Sequence, residues 1–228
     1  MFDERYATFQ AYGISHVVAL IVGVGAVTLM LCLRKKIQRS RFYEILCGCV
    51  MLLLEGVFLT WTIRNHGLRP EQLPLQLCTI SLYVNVFMLL SGRLEPFRYT
   101  CFWTLTGPIL AFFIPMQGYD FPHFRYLHYY LNHLLILLST VYFFLVSEKH
   151  VTLKDALWSE GGMTALVLFV IHPINYCLNT DFMFLTHNEG YFSTIFAWQN
   201  VVIWFAAAAV HQALFWLYHR FLSPRSKV

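Results

Sequence analysis

The chain has 228 residues, of which 58% are hydrophobic and only 12% are charged. Soluble domains carry about 25% charged residues, so this composition excludes an ordinary soluble domain and predicts a protein dissolved in lipid. The formal net charge of +4 is small and its basic residues lie in a few short loops, which argues against a nucleic-acid-binding surface. We predict an all-α fold that forms one integral membrane domain over residues 1–228.

Seven apolar runs approach the length of about 20 residues that a membrane-spanning helix needs. The fourth contains Gly107, Pro108 and Pro115, so we expect it to be kinked or broken. The runs cover about residues 14–33, 43–63, 74–91, 101–117, 126–147, 157–178 and 198–219. This pattern predicts a polytopic membrane bundle of about seven transmembrane helices.

The basic residues predict the orientation of this bundle. Most of the Lys and Arg lie in the first loop, RKKIQRSR, and in the other segments on the same side of the membrane. We therefore place the amino terminus outside and the carboxyl terminus in the cytoplasm. We expect a multi-pass protein of the cell membrane. No basic leader precedes the first run, so we predict no removable signal peptide. All six cysteines fall in or beside apolar runs, and we expect them to be reduced.

The third run, LPLQLCTISLYVNVFMLLS, combines a helix start with a reactive residue type. Pro74 is expected to begin the helix, which places Cys78 one turn in. The helix dipole favours the thiolate there, whereas the apolar neighbours disfavour it. With the predicted helices spanning the bilayer, a rise of about 1.5 Å per residue gives the depth of each polar side chain. Four of them lie roughly 6 to 12 Å below the outer boundary of the membrane: Cys78, Glu55, His133 and His172.

Each of these side chains also has a purely structural interpretation. A cysteine in an apolar helix commonly packs as a small hydrophobe, and His133 or the neighbouring Asn132 serves equally well as an interhelical hydrogen-bonding group. His172 precedes a proline, which leaves a backbone carbonyl one turn earlier without its helical hydrogen bond. The imidazole is able to donate to that carbonyl instead. Glu55 needs a partner at that depth, and His133, His172 and Arg64 are the candidates.

Two chemistries suit such a cluster. A thiol, an imidazole and a carboxyl or amide that orients the imidazole are the groups needed for acyl transfer. A metal site competes with it, but His123, His128 and His133 are spaced by five, which scatters them around a helix. We therefore predict no metal and no other cofactor.

Three segments carry a family resemblance: LPLQLC, YLNHLLILLSTVYF and INYCLNTDFMFL. With them the chain resembles the YwaF-like bacterial integral membrane proteins, which are similar to the animal transmembrane protein 164, an acyltransferase that moves fatty acyl chains between phospholipids. The resemblance implies that Cys78 is the nucleophile, that His133 is its partner and that Asn175 is a family asparagine. The chain departs from the family pattern at Asp181 and Phe182, so substrate choice by that loop is not carried over.

The sequence thus predicts a membrane-embedded acyltransferase, lipid transacylase or acyl hydrolase that works from the outer leaflet on membrane lipids. Cys78 and His133 are the predicted catalytic pair, and an aromatic link at 182–192 is expected to cap the pocket. The predicted supporting and pocket residues are Glu55, Gln76, Asn132, His172, Asn175, Asn179 and Asp181.

Two other functions remain open on the sequence. The first is a small-molecule or proton-coupled transporter or binding protein, in which Glu55 or a histidine couples to protons. The second is a structural or regulatory membrane subunit, with Gly161–Gly162 or Ala206–Ala209 as its contact face. An assembly of identical chains is compatible with all three functions.

Overall fold

The computed structural model describes residues 8–147 and 151–185, together with residues 209, 213, 216, 217 and 220. These residues form an all-helical bundle without a strand in the described ranges. The helices are α1 (Ile14–Cys32), α2 (Arg41–His66), α3 (Leu77–Ser91), α4 (Phe97–Phe113), α5 (Phe124–Val146), α6 (Leu153–Leu166) and α7 (His172–Leu178). A π-helical turn, Val167–Ile171, joins α6 to α7, and short 3₁₀ turns lie at Pro70–Gln72 and Phe182–Phe184.

Among the residues that the structure describes, five helical runs are long and apolar enough to cross a bilayer. They are Ile14–Cys32, Arg41–His66, Pro70–Ser91, Phe124–Val146 and Leu153–Leu178. Helix α4 is apolar too, but with 17 residues it is shorter than these five runs. The prediction of a polytopic helical membrane bundle is confirmed, while the seventh predicted run, 198–219, lies almost wholly outside the described residues.

The order of the links defines two ends of the bundle. We use "upper end" for the end that carries the links 67–76 and 114–123, and "lower end" for the end that carries the links 33–40, 92–96 and 147–152. Contacts between α4 and α5 confirm that these neighbours are antiparallel. Tyr129 bonds to Ala111, whereas Thr140, further along α5, bonds to Thr104, earlier in α4.

Helix α4 remains helical through Pro108, so the predicted break does not occur at this proline. A proline removes the hydrogen bond to the carbonyl four residues earlier, here that of Thr104. The hydroxyl of Thr140 in α5 donates to this carbonyl oxygen at 3.3 Å. A neighbouring helix thus supplies the bond that the proline cannot make.

The upper end of α4 is held by side chains of two other helices. Pro115 has no N–H to offer Ala111, and the Tyr129 hydroxyl donates to that carbonyl instead, at 3.1 Å. His16 Nε2 donates to the Phe112 carbonyl at 2.7 Å. The Tyr12 hydroxyl donates to the carbonyl of Phe113, the last residue of α4, at 2.7 Å. Because the last carbonyls of a helix lack internal partners, these three bonds fix where α4 ends.

The π-helical turn before α7 has a local cause. Pro173 cannot donate to the carbonyl of Phe169, and its ring crowds that carbonyl. Widening the helix over Val167–Ile171 relieves the crowding and lets the helical run continue to Leu178.

The lower end is fixed by a buried carboxylate. Glu44 has no exposed surface, and its two oxygens accept hydrogen bonds from Arg39, Arg41 and the Tyr142 hydroxyl. Arg41 also donates to the carbonyls of Leu89 and Leu90 at the end of α3. This network joins α2, α3 and α5, so the lower half of the bundle is rigidly positioned beneath the upper one.

A second buried polar contact lies midway through the bundle. The amide of Asn85 in α3 donates at 3.0 Å to the Ile136 carbonyl and to the hydroxyls of Ser139 and Thr140 in α5. It lies among large apolar side chains that form the main core, including Met88, Leu89, Phe97, Phe102 and Phe143. The contact fixes the register of α3 against α5.

Candidate functional site

Cys78 lies near the upper end, in the first turn of α3. The helix begins at Leu77 rather than at Pro74, so Cys78 is its second helical residue and not a full turn inside it. The reason is tertiary: Gln76, the residue before the helix, is extended, and its side-chain oxygen accepts a hydrogen bond from Met183 N at 2.9 Å. The sequence around Pro74 carries no signal of this distant contact.

The thiol of Cys78 is directed at α4 and not into lipid. A Cβ placed on Gly107 would lie 3.3 Å from Cys78 Sγ, which is tighter than ordinary van der Waals contact. Gly107 therefore provides the space that the thiol occupies. Cys78 is half-buried between the two helices.

His133 lies on α5 and has a defined tautomer. Its Nδ1 is 2.6 Å from the Tyr129 carbonyl oxygen, which is able only to accept. Nδ1 therefore carries the proton, and in the neutral ring Nε2 holds a lone pair. The Tyr129 ring packs against the imidazole with ring centroids 4.4 Å apart. The same tyrosine is fixed to α4 through its hydroxyl.

The register of the helices places Cys78 and His133 at nearly the same depth. Asn85 of α3 lies opposite 136–140 of α5. On α4, Cys78 packs at Gly107 and the Tyr129 hydroxyl binds Ala111, four residues further along. Helices α3 and α5 both run from the upper to the lower end, so the two levels differ by about 3 Å at 1.5 Å per residue. Within the described ranges no hydrogen bond joins Cys78 to His133.

Glu55 belongs to a separate buried cluster between α2 and α5. The Asn132 amide donates to Glu55 Oε2 at 3.2 Å and lies 2.8 Å from His128 Nε2, while His128 Nε2 is 3.4 Å from the same carboxylate oxygen. The prediction of His133, His172 or Arg64 as the partner is wrong, because His128 and Asn132 are the residues of α5 that face α2. Asn132 therefore bonds to Glu55 and not to the imidazole of His133.

Asn175 holds the segment that follows α7. Its side chain accepts from Phe182 N at 2.8 Å and from the Thr180 hydroxyl at 3.0 Å, and it donates to the Phe182 carbonyl at 3.0 Å. Phe182 is buried in a cluster with Leu75 and Leu77. Segment 179–185 thus packs against the start of α3, directly beside Cys78. The rest of the predicted aromatic cap, 186–192, lies outside the described residues.

The remaining predicted pocket residues have different surroundings. His172 is half-buried, and within the described ranges it forms no hydrogen bond or ion pair with Cys78, Glu55 or His133. Asn179 is exposed and ends α7 in the left-handed conformation, with φ of 52°. Asparagine tolerates this conformation better than most residues, which explains its presence at this position. Asp181 lies in the segment that Asn175 holds.

The three histidines considered for a metal site have separate partners. His123 caps α5 by accepting from Arg125 N at 3.1 Å, His128 contacts Glu55, and His133 donates to Tyr129. Their spacing of five residues directs them to different neighbours, as the sequence predicted.

An open groove of about 590 Å³ lies on another face of α2. Among the described residues its lining contains none of the predicted site residues, so the groove and the Cys78 region are separate features. The lining residues are Leu52, Leu53, Gly56, Val57, Thr60, Trp61, Arg64 and Asn65.

Sequence reasoning missed the roles of His128, Tyr129 and Gly107. His128 and Asn132 are four residues apart, which places both on one face of α5, and this spacing was the available signal for a shared partner. Tyr129 and His133 have the same spacing. No sequence signal connects Gly107 with Cys78, because their contact depends on how α3 and α4 pack.

A family model described as the TMEM164 family matches residues 11–222. This agrees with the resemblance to transmembrane protein 164, although the match does not carry the YwaF-like label. No significant match was found among curated proteins or among solved structures.

Proposed function

The chain belongs to the TMEM164 family, and on this premise we propose that it is a membrane-embedded acyltransferase for phospholipid or other lipid acyl chains. Its apolar helices and its family make it a multi-pass membrane protein. We place it in the cell membrane, with the upper end of the bundle at the outer leaflet. Hydrolysis of the same ester bond, with water as the acceptor, is the closest variant of this activity.

One observation carries the proposal: a thiol and a base of the correct tautomer lie at one depth on neighbouring helices. His133 donates through Nδ1 to the Tyr129 carbonyl, so its Nε2 is able to accept the proton of a thiol. Cys78 faces the protein interior beside Gly107. The proposal requires the thiol and the imidazole to come into hydrogen-bonding contact when substrate is bound, as catalytic contacts commonly tighten only then.

The proposed reaction has two steps. His133 Nε2 takes the proton of Cys78, the sulfur attacks the ester carbonyl carbon, and the C–O bond breaks as the imidazolium protonates the departing alcohol of the lysolipid. A second alcohol, or water, then loses a proton to His133 and attacks the thioester carbonyl. The C–S bond breaks, and the proton returns to the thiol.

The start of α3 supplies donors for the oxyanion of both steps. The first hydrogen bond inside the helix runs from Ile80 N to Gln76 O, at 2.9 Å. The N–H groups of Leu77, Cys78 and Thr79 therefore have no carbonyl of their own helix to bind. Amides in this position stabilise the negative charge that develops on a carbonyl oxygen next to the sulfur.

The test is acyl transfer between phospholipids in reconstituted vesicles. Cys78→Ala and His133→Ala are each expected to lower the rate at least a hundredfold, because the nucleophile or its base is missing. Cys78→Ser is expected to be similarly slow. Cys49→Ala, which changes an exposed cysteine of α2, is the matched control and should retain the wild-type rate. Full activity of correctly folded Cys78→Ala protein rules the proposal out.

The Glu55 cluster favours a second candidate function, proton-coupled transport or binding. A carboxylate that is only 7% exposed and contacts a histidine is a common arrangement in proton relays. Vesicle uptake that depends on Glu55 but not on Cys78 would support this candidate. Acyl transfer that survives Glu55→Gln and disappears in Cys78→Ala would reject it in favour of the acyltransferase.

A further inference from the structure

Tyr129 of α5 contacts both halves of the proposed site. Its hydroxyl donates to the Ala111 carbonyl of α4 at 3.1 Å and accepts from Met116 N at 3.2 Å. Its backbone carbonyl accepts from His133 Nδ1 at 2.6 Å, and its ring packs on the imidazole with ring centroids 4.4 Å apart. One residue thus touches the proposed base and also binds the helix against which the thiol packs.

The hydroxyl binds two backbone groups that α4 does not pair within itself. In a continuing helix the residue four positions after Ala111 would donate to its carbonyl, but that residue is a proline and has no N–H. Met116 N would donate to the Phe112 carbonyl, which instead accepts from His16 Nε2 at 2.7 Å. Because the Tyr129 hydroxyl takes both places, the upper end of α4 is fastened to α5.

This contact lies one helical turn from each of the proposed reacting groups. On α4, Ala111 is four residues above Gly107, the residue that the Cys78 thiol contacts. On α5, His133 is four residues below Tyr129. Because α4 and α5 are antiparallel, both steps lead from the same contact toward the lower end. A displacement of α5 along α4 at this contact therefore moves the imidazole relative to the thiol.

A second tyrosine of α5 provides an internal reference. The Tyr126 hydroxyl donates to the Ser15 carbonyl at 2.6 Å and fastens α1 to α5 in the same way. Its bond leads to a helix that carries none of the predicted site residues. The two tyrosines thus place the same chemical group on the same helix, but only the bond of Tyr129 reaches the helix that contacts the thiol.

We infer that Tyr129 is a positioning residue for the proposed acyl transfer. Its hydroxyl fixes α5 against α4 and so sets the distance between His133 and the thiol of Cys78. The inference rests on the proposed function for the roles of these two residues. It gives Tyr129 no contact with the lipid and no part in proton transfer, so loss of the hydroxyl slows the chemical step without weakening substrate binding.

The first readout is acyl transfer in reconstituted vesicles. Tyr129→Phe keeps the ring on His133 and removes only the hydroxyl, so kcat should fall about ten- to a hundredfold at an unchanged KM. Tyr126→Phe is the matched control, since it removes an equivalent bond to α1, and it should have the parent kcat. A parent-like kcat in folded Tyr129→Phe protein, or an equal loss in Tyr126→Phe, overturns the inference.

The second readout requires no acyl transfer. A short-chain alkyl chloroacetamide alkylates thiolates, and mass spectrometry of the peptide containing Cys78 gives the rate of this reaction. Tyr129→Phe should slow the alkylation about tenfold in the parent protein and leave it unchanged in the His133→Ala background, where no base remains to be displaced. Equal slowing in both backgrounds would assign the hydroxyl a general structural role and would overturn the inference.

A second variant covers a failure to fold. If Tyr129→Phe protein is not folded, Pro115→Ala is added, because it gives the Ala111 carbonyl a donor from its own helix while the bond to α5 stays absent. The kcat of the double variant should remain low. A parent-like kcat would show that the hydroxyl serves only to complete α4, and the inference would be wrong.

Two results separate this inference from the proposed function. Acyl transfer that requires Cys78 and His133 but keeps the parent kcat in Tyr129→Phe rejects the inference and leaves the function standing. Alkylation of Cys78 that depends jointly on Tyr129 and His133, in a parent protein that transfers no acyl chain, rejects the function and leaves the positioning of the imidazole standing.

Discussion

The two proposed catalytic side chains are held in different ways, one by a hydrogen bond and the other by packing. His133 is oriented by a carbonyl of its own helix, whereas the Cys78 thiol is positioned only by the space that Gly107 leaves in α4. Glu55, His128 and Asn132 form a separate buried polar cluster between α2 and α5. The site thus combines a fixed base with a thiol whose position depends on packing between helices.

Gly107→Ala tests this dependence on packing. The added methyl would lie 3.3 Å from Cys78 Sγ and 3.6 Å from the Leu77 side chain, so the thiol must move by a few tenths of an ångström. We expect acyl transfer to fall by about tenfold with little change in the melting temperature, because small displacements of a reacting atom cost rate. Gly161→Ala, on an open helix surface, is the control and should have the parent rate. An unchanged rate in Gly107→Ala would show that the thiol reacts from elsewhere.

Asn132→Leu tests the Glu55 cluster as a structural contact. It removes the amide that donates to a buried carboxylate, and we expect a loss of about 2–4 kcal/mol in the free energy of unfolding. Reversible denaturation in detergent measures it. The double variant with Glu55→Leu should recover part of the loss, since no unpaired charge then remains. A loss below about 0.5 kcal/mol, as typical of surface positions, would contradict this role.

At the scale of elements, α5 organises the site. One of its faces carries His128 and Asn132 toward α2, and the adjoining face carries Tyr129 and His133 toward α3 and α4. A single helix therefore connects the buried acid cluster and the proposed base. Segment 179–185 completes the site by packing on the start of α3.

Asn175→Ala is predicted to release this segment. Three hydrogen bonds of its side chain hold the Thr180 hydroxyl and the backbone N–H and carbonyl of Phe182. Hydrogen–deuterium exchange should show roughly tenfold or greater loss of protection at residues 180–183, with α5 unaffected. Asn65→Ala, which removes a single exposed bond to Trp61, is the comparison variant. Unchanged exchange at 180–183 would mean that the apolar contacts of Phe182 suffice.

Whole-molecule features were the most predictable from the sequence. The apolar runs located α1, α2 and α5 to within about two or three residues, because a spanning helix must hide its backbone from lipid and so needs an apolar stretch of fixed length. The start of α3 and the end of α4 were misplaced. Both are set by contacts with residues elsewhere in the chain: the Gln76 side chain accepts from the backbone N–H of Met183 in one case, and the Tyr129 hydroxyl donates to the Ala111 carbonyl in the other.

The candidate site was predictable only as a set of residue types. Cys78 and His133 were singled out as candidates because polar groups are rare in apolar helices, but the partner of Glu55 was not identified. Several histidines were predicted at about the depth of Glu55 in the membrane. Which of them faces Glu55 depends on how α5 is rotated about its own axis, and in the structure that residue is His128. Contacts such as that of Cys78 with Gly107 exist only after the helices pack.

The orientation of the whole bundle is a prediction that labelling tests. Gly118→Cys lies in the exposed upper link 114–123 and should react with a membrane-impermeant maleimide added to intact cells. Lys35→Cys, in the lower link 33–40, should react only after permeabilisation, because the basic loops stay in the cytoplasm. The parent protein, with its six native cysteines, supplies the background. Labelling in the opposite order would place the site at the inner leaflet.

The central claim, that Cys78 carries the acyl group between lipids, is tested most directly by mass spectrometry of the purified protein after exposure to phospholipid. The account predicts a thioester-linked acyl chain on the peptide containing Cys78, enriched in the absence of an acceptor, removed by hydroxylamine and absent from His133→Ala protein. Active protein whose Cys78 peptide remains unmodified throughout turnover, or an equal adduct on exposed Cys49, would contradict it.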